Sequence, residues 1–154
     1  MKILKFTVAC LFMVMLVSTA QAAADIDDIA AHRDCAHCGM DRKVYGFSRM
    51  LVEYADGGQV GLCSLHCAVT ELDANKGRPV KVLLVADRDG RSLLAADKAI
   101  WVIGGKKRGV MTQRPKWAFA TESAARTFVK ANGGTVIGWP EALKAAQEEA
   151  RVPR

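Results

Sequence analysis

Two short segments of this 154-residue chain contain most of the sulfur and imidazole side chains that lie beyond residue 22. The first, DCAHCGM, carries Cys35 and Cys38, and the second, GLCSLHCAV, carries Cys63 and Cys67. The spacing is therefore Cys-x2-Cys, 24 intervening residues, and Cys-x3-Cys. Paired cysteines at such spacings are typical of metal sites, because thiolates are strong ligands for soft and borderline ions.

The residues around each pair favour a metal-binding geometry. Gly39 follows the first pair directly, and a glycine there lets backbone N–H groups turn toward the sulfur atoms. Cys63 and Cys67 are four residues apart, which places them on one face at the start of a predicted helix. The positive end of a helix lowers the pKa of a thiol and so favours thiolate. A knuckle turn, a hairpin and a helix N-terminus that meet at one ion form a treble-clef-like arrangement.

Thioether and imidazole groups extend the set of candidate ligands. Met40 lies two residues after Cys38, and Cu(I) accepts thioether ligands readily whereas zinc seldom does. Met111 lies in the polar segment RGVMTQ, where it is either an apolar plug of the loop or a soft ligand. His66, between the second pair, faces either solvent or the metal. The candidate metal ligands are Cys35, Cys38, Met40, Cys63, Cys67, Met111 and His66.

Residues 1–22 have the pattern of a secretory signal peptide. Lys2 and Lys5 precede an apolar run over residues 6–17, which is too short to span a bilayer comfortably, and a small-x-small AQA sequence follows. We expect cleavage before Ala23 and a periplasmic product. Contact with the membrane is expected only if this segment is retained as an anchor.

The charge of the chain is mildly positive. Lys and Arg number 22 against 16 acidic residues, a net charge of +6 that falls to +4 without Lys2 and Lys5. The basic cluster at residues 106–108 is short and has no interleaved aromatic residues, so it is interpreted as a solvated loop. A nucleic-acid-binding function is not expected.

Export leaves three alternatives to a copper site open. An even number of cysteines in an oxidising compartment suggests structural disulfides. A thioredoxin-like redox function would place Cys-x2-Cys at a helix start in a βαβ setting, whereas here the motif precedes a predicted hairpin. A four-cysteine structural zinc site is the third alternative.

Elements that can position these residues follow from turn signals and apolar patterns. In the first half they are a hairpin within residues 47–62, a helix over LHCAVTELDANKG with Ser64 as its cap, and a strand over VKVLLVAD. In the second half they are strands at KAIWVIGG and KWAFA, a helix over ESAARTFVKA capped by Thr121, a strand at TVIGW and a last helix that begins at Pro140.

These elements predict an α+β protein of two small ββαβ-like units with mainly antiparallel sheets. The first unit is built around the treble-clef-like cysteine cluster. The predicted boundaries are 1–22 for the signal peptide, 23–90 for the cysteine-rich metal-binding half and 91–154 for the second half with its C-terminal helix.

Three segments of the chain, CAHCGM, GLCSLHC and WVIGGKKRGVMTQRPKWAFATESAARTFVKANGGTVIGWPEALKAA, resemble the NosL family. Its members are exported accessory proteins of nitrous oxide reductase, regarded as Cu(I)-binding chaperones for the copper centres of that enzyme. The resemblance covers nearly the whole chain after residue 22, and it implies a fold of two related ββαβ units. The first half also resembles small treble-clef modules of metal-trafficking proteins.

The resemblance implies Cu(I) ligation at Cys38 and Met40, and Met111 matches a second-half methionine also put forward as a copper ligand. The chain departs from the family pattern in lacking an evident lipobox and in carrying a complete set of four cysteines. The additional thiols hold either a separate zinc ion or a thiolate-rich copper site.

The expected function is that of a periplasmic Cu(I)-binding metallochaperone. Its expected partner is an apo copper enzyme, either nitrous oxide reductase or a similar periplasmic protein. The chain is not expected to be an enzyme, because it has no nucleophile elbow, phosphate-binding loop or paired-carboxylate motif. Two other functions remain open: a zinc-stabilised treble-clef interaction module and a thiol-disulfide oxidoreductase.

Overall fold

The structure, a computed structural model, describes residues 27–151, so the predicted signal peptide lies outside the described residues. Its helices are α1 (Asp28–Ala31), α2 (Leu65–Ala74), α3 (Glu122–Asn132) and α4 (Trp139–Ala150). Its strands are β1 (Met50–Tyr54), β2 (Gln59–Leu62), β3 (Val80–Ala86), β4 (Leu93–Ala95), β5 (Ile100–Ile103), β6 (Lys116–Phe119) and β7 (Thr135–Ile137). The prediction of an α+β protein is confirmed.

The strands form two antiparallel sheets. The first has the order β2-β1-β3-β4 and the second the order β6-β5-β7. The segments β1-β2-α2-β3 and β5-β6-α3-β7 therefore have the same element order, with the first strand at the centre of each sheet. The predicted pair of ββαβ units with antiparallel sheets is confirmed.

Strand β4 extends the first sheet and was not predicted. Its residues pair with β3, for example Val85 with Leu94. The predicted boundary between residues 90 and 91 therefore falls between two neighbouring strands of one sheet. A strand of three residues is too short to show an alternating pattern in the sequence.

A hydrophobic core cluster joins the two units and contains three of the cysteines as buried residues. Helix α4 packs against both α2 and β5, so the C-terminal helix covers the first unit as well as the second. One buried cluster includes Tyr54 and Leu62 of the first unit, Trp101 and Ala142 of the second, and three of the four cysteines. The thiols are consequently part of the packed interior, and any ion bound to them contributes to the stability of the fold.

Across residues 27–151, every helix is too short or too polar to cross a bilayer.

Candidate metal centre

The four cysteine thiols meet at one point of the first unit. The Sγ–Sγ distances are 3.4 Å between Cys38 and Cys63, 3.7 Å between Cys63 and Cys67, and 3.8 Å between Cys67 and Cys38. Cys35 completes the set, and all four sulfur atoms lie within 4.8 Å of one another. A tetrahedral ion with bonds of about 2.3 Å to sulfur requires sulfur atoms about 3.8 Å apart. The cluster therefore has the dimensions of a site for one ion. All four cysteines are free thiols in this structure, since a disulfide would bring two sulfur atoms to about 2.05 Å.

The first pair of ligands is presented by the predicted knuckle turn, residues 35–40. The N–H of Cys35 donates to the carbonyl of Met40 at 2.9 Å, and the N–H of Gly39 donates to the carbonyl of Cys35 at 2.9 Å. Gly39 has a φ of +72°, in the left-handed region that glycine adopts without steric penalty. The glycine expected from the sequence thus closes the turn that brings Cys35 and Cys38 together.

The second pair lies where strand β2 passes into helix α2. Cys63 follows the strand directly, and Cys67 lies in the first turn of the helix. Ser64 occupies the predicted N-cap position, but its side chain donates or accepts no capping hydrogen bond. The hydroxyl of Ser64 instead lies 3.7 Å from Cys63 Sγ, because the side chain is buried beside the sulfur cluster.

Hydrogen bonding and burial affect the thiols differently. Hydrogen bonds from Cys63 and Cys67 lower the pKa of the Cys35 thiol. The hydrogen bonds to Cys35, together with burial, raise the pKa of Cys63 and of Cys67. Because a metal ion binds thiolates, binding of a cation to the sulfur atoms releases protons.

Burial distinguishes one of the four cysteines from the other three. Cys35, Cys63 and Cys67 are 3%, 0% and 2% exposed, whereas Cys38 is partly exposed. Cys38 is therefore the vertex at which solvent or another protein reaches the cluster.

The buried Arg42 fixes the knuckle turn to the hairpin. Its guanidinium donates to the carbonyls of Leu62 at 3.1 Å and Met50 at 3.0 Å, and to the carboxylate of Asp28 at 2.5 Å. Arg49 donates to the same carboxylate at 2.9 Å. The N-terminal segment around Asp28 is thereby fixed against the knuckle turn and the hairpin.

A second polar contact joins the knuckle turn to α2. His37 Nε2 lies 2.8 Å from Glu71 Oε2, and the buried Glu71 also accepts hydrogen bonds from Tyr54 at 2.7 Å and Asn75 at 2.9 Å. Glu71 was not among the predicted functional residues. Nothing in its local sequence indicates this contact, because the partner is 34 residues away in the chain.

Met40, Met111 and His66 lie in three separate segments of the chain: the knuckle turn, the loop before β6 and the first turn of α2. Met40 and Met111 are partly buried and pack against the core cluster that contains the cysteines. His66 lines a cavity of about 20 Å³ together with Val110 and Thr112, the neighbours of Met111 in the chain. The start of α2 and the Met111 segment therefore face each other. Metal ligation by the seven candidate residues stays a prediction.

The Met111 segment is held by Glu149 of α4. Glu149 accepts hydrogen bonds from the hydroxyl of Thr112 at 2.6 Å, from the ammonium group of Lys116 at 2.6 Å and from the N–H of Gln113. Burial opposes ionisation of Glu149, but these donors outweigh it and lower the pKa to about 2. Met111 itself has a φ of +55°, which is strained for a residue other than glycine and is maintained by this surrounding network.

Comparison with known proteins agrees with the fold. The sequence profile of the NosL family matches residues 25–146. The crystal structure of the copper chaperone NosL from Shewanella denitrificans superimposes with a TM-score of 0.57 at 19% identity, over 73% of this chain and 90% of that one. Among curated proteins there is no match. The matched profile covers both ββαβ units and the four cysteines, and the chain belongs to the NosL family.

Proposed function

We propose that this protein is a periplasmic Cu(I)-binding metallochaperone that supplies copper to a copper enzyme, with nitrous oxide reductase as the expected client. Membership of the NosL family and the similarity of fold to a copper chaperone support the proposal. The observation that carries it is the convergence of four thiols with one partly exposed vertex, Cys38, two residues before Met40. In this proposal the chain is a carrier and not an enzyme.

The ligand chemistry supports a soft metal ion as cargo. Thiolate and thioether sulfur select Cu(I) or zinc over magnesium, calcium or manganese, which prefer oxygen. Cys35, Cys63 and Cys67 would retain the ion from the buried side. Cys38 and Met40 would exchange it with a client, because ligand exchange requires a vertex that an incoming sulfur atom can reach. Met111 and His66 are the proposed additional donors from the facing segments.

A zinc-stabilised interaction module is the second candidate, and one observation favours it. The Sγ–Sγ separations among Cys38, Cys63 and Cys67, 3.4 to 3.8 Å, are near the edge length of a four-thiolate zinc site, and structural zinc sites are closed in this way. In that case the ion would only stabilise the fold, and Met40 would have no part in binding it. A thiol-disulfide oxidoreductase would instead cycle a Cys35–Cys38 disulfide and would reduce insulin.

Metal analysis of anaerobic, reduced protein separates these functions. We expect uptake of one equivalent of Cu(I), measured by competition with a chromogenic Cu(I) chelator, and about tenfold weaker binding in Met40→Leu. Met50→Leu is the matched control, because Met50 is fully buried in β1 and is not a candidate ligand. One equivalent of zinc, no copper uptake and an unchanged Met40→Leu variant would establish the zinc module instead.

Export is tested independently of metal binding. Periplasmic fractionation followed by N-terminal sequencing should recover a chain that begins at Ala23. Recovery of the intact N-terminus in the membrane fraction would replace this part of the proposal with a retained anchor.

A further inference from the structure

A cationic cleft of about 420 Å³ lies where the two sheets meet. It is formed by the turn after β3, the loop between β5 and β6, and the start of β6. Four cations and two aromatic rings line it: Arg88, Arg91, Lys107, Arg108, Phe47 and Trp117. None of these residues belongs to the candidate metal centre.

The arginine side chains are held in place by aromatic rings. The Cζ atom of Arg88 lies 4.8 Å from the ring centroid of Phe128 and 5.9 Å from that of Trp117, and Arg91 Cζ lies 5.8 Å from that of Phe47. A guanidinium stacked on a ring keeps its N–H edges available for carboxylate or phosphate. The cleft is thus partly preorganised for an anionic group.

Arg91 occupies a strained backbone position at the edge of this cleft. Its φ is +61°, where a glycine would be less costly, and the position is fixed at both ends. The N–H of Arg91 donates to the carbonyl of Asp87 at 2.8 Å, and its own carbonyl accepts a hydrogen bond from Arg49 at 2.6 Å. Arg91 thus places a cation at a backbone position whose φ would favour glycine.

The charges of the cleft are not balanced within the described chain. Asp89 is the one carboxylate that lines it, and Asp89 forms an ion pair with Arg88. Within residues 27–151, no ion pair is formed by Arg91, Lys107 or Arg108. Several uncompensated cations around a concave surface concentrate a positive potential that attracts anions.

A second cleft adjoins the first on the other side of the basic loop. It has a volume of about 500 Å³, and Lys107 and Arg108 line both clefts. Met111, a candidate copper ligand, lines the second. The two adjoining clefts, which share Lys107 and Arg108, are here together called the basic groove. An extended acidic chain can contact cations in both clefts, which a single small anion cannot.

We infer that the basic groove binds an acidic, extended polypeptide segment of the protein that receives copper. This inference rests on the proposed function, and it would bring the receiving protein to Met111. An anionic membrane surface fits the groove less well, because the large exposed apolar side chains of the described chain, Val44, Val80 and Val136, lie outside it.

The test uses a fluorescein-labelled peptide of alternating Glu and Gly and a neutral Gln and Gly peptide, with binding to the full exported chain followed by anisotropy. We expect binding of the acidic peptide alone, and about tenfold weaker binding in the double variant Lys107→Gln/Arg108→Gln. Lys76→Gln/Lys81→Gln removes the same charge outside the groove and should change the affinity less than twofold. An equal loss in both double variants would overturn the inference, since attraction would then depend on net charge alone.

Arg91→Gly provides a second and sharper test. Glycine relieves the strain at a φ of +61° while removing the cation, so peptide binding should weaken severalfold with no loss of thermal stability. Unchanged peptide affinity in this variant would contradict the inference. Displacement of the peptide by equimolar inorganic phosphate, or binding to phosphatidylglycerol vesicles in preference to the peptide, would also overturn it in favour of another anion source.

Cu(I) affinity of the same groove variants separates this inference from the proposed function. If the protein binds Cu(I) but does not bind the acidic peptide, the inference about the basic groove is refuted and the proposed function is not. If the protein binds the peptide but takes up no Cu(I), the proposed chaperone function is refuted, whereas the groove is still shown to bind an acidic peptide.

Discussion

His37 Nε2 and Glu71 Oε2 lie 2.8 Å apart, which joins the knuckle turn to helix α2. The knuckle turn carries Cys35 and Cys38, and α2 carries Cys67, so the contact links the two cysteine pairs of the metal centre. Because Glu71 is buried and also bonded to Tyr54 and Asn75, its side chain has little freedom to move. The separation of the two cysteine pairs is therefore set partly by this contact.

His37→Ala should loosen the metal centre without removing a thiol. We expect release of bound metal to a chelator to become about tenfold faster, and the free energy of unfolding to fall by about 1 kcal/mol. Stopped-flow mixing with the chelator measures the first quantity. His32→Ala is the matched control, because His32 precedes the knuckle turn and does not contact Glu71. Equal release rates in both variants would show that the contact does not restrain the site.

Asp28→Asn should be the most damaging of the carboxylate substitutions near the N-terminus. Burial alone would raise the pKa of Asp28, but Arg49 and Arg42 outweigh it and hold the pKa below its usual value. Loss of this charge leaves two arginines without their buried counter-ion, at a cost of about 3 kcal/mol in chemical denaturation. Asp27→Asn, at an exposed helix cap, should cost under about 1 kcal/mol. Similar costs for the two would disprove the role of the buried ion cluster.

Gly39→Ala tests the backbone of the knuckle turn. An added Cβ would meet no atom within 4 Å, so the effect is due to the φ of +72° alone. We expect a loss of about 1 kcal/mol in stability and a measurable loss of metal affinity by chelator competition. Gly77→Ala, which also has open space but no positive φ, should be neutral or slightly stabilising. A neutral Gly39→Ala variant would contradict this account of the turn.

Acid should release the Met111 segment from α4. The pKa of Glu149 is about 2 in the folded protein and about 4.5 in an unfolded chain. Its stabilising contribution, of order 2 kcal/mol, is therefore present above pH 4.5 and is lost as the pH falls toward 2. Glu149→Gln should flatten the decline of stability over this range in urea titrations. Glu148→Gln, which removes an exposed partner of Lys144, should leave the decline unchanged.

Local patterns in the sequence were sufficient for most elements and for the cysteine cluster. The hairpin, helices α2 and α3 and the strand at residues 80–86 were predicted nearly at their observed bounds, because each has turn residues at its ends and a clear period. Thr121 was correctly predicted as a cap, since its hydroxyl accepts a hydrogen bond from Ala124 N–H at 3.2 Å. The last helix begins one residue before the predicted Pro140.

The long-range polar contacts could not be predicted in this way. Asp28 meets Arg42 and Arg49 from 14 and 21 residues away, and Glu149 meets the Met111 segment from more than thirty residues away. No period or spacing marks such partners, because their meeting depends on how complete elements pack. The positive φ of Met111 is likewise a consequence of packing and has no glycine or asparagine to indicate it.

The shared strand order of the two ββαβ units shows what the cysteines contribute to the first one. At residues 100–137 the second unit forms the same arrangement around Trp117, Phe119 and Phe128, and its sequence contains no cysteine. One molecule thus shows this arrangement once with an aromatic interior and once with a sulfur-rich one. Thiols are therefore not a requirement of the ββαβ architecture itself.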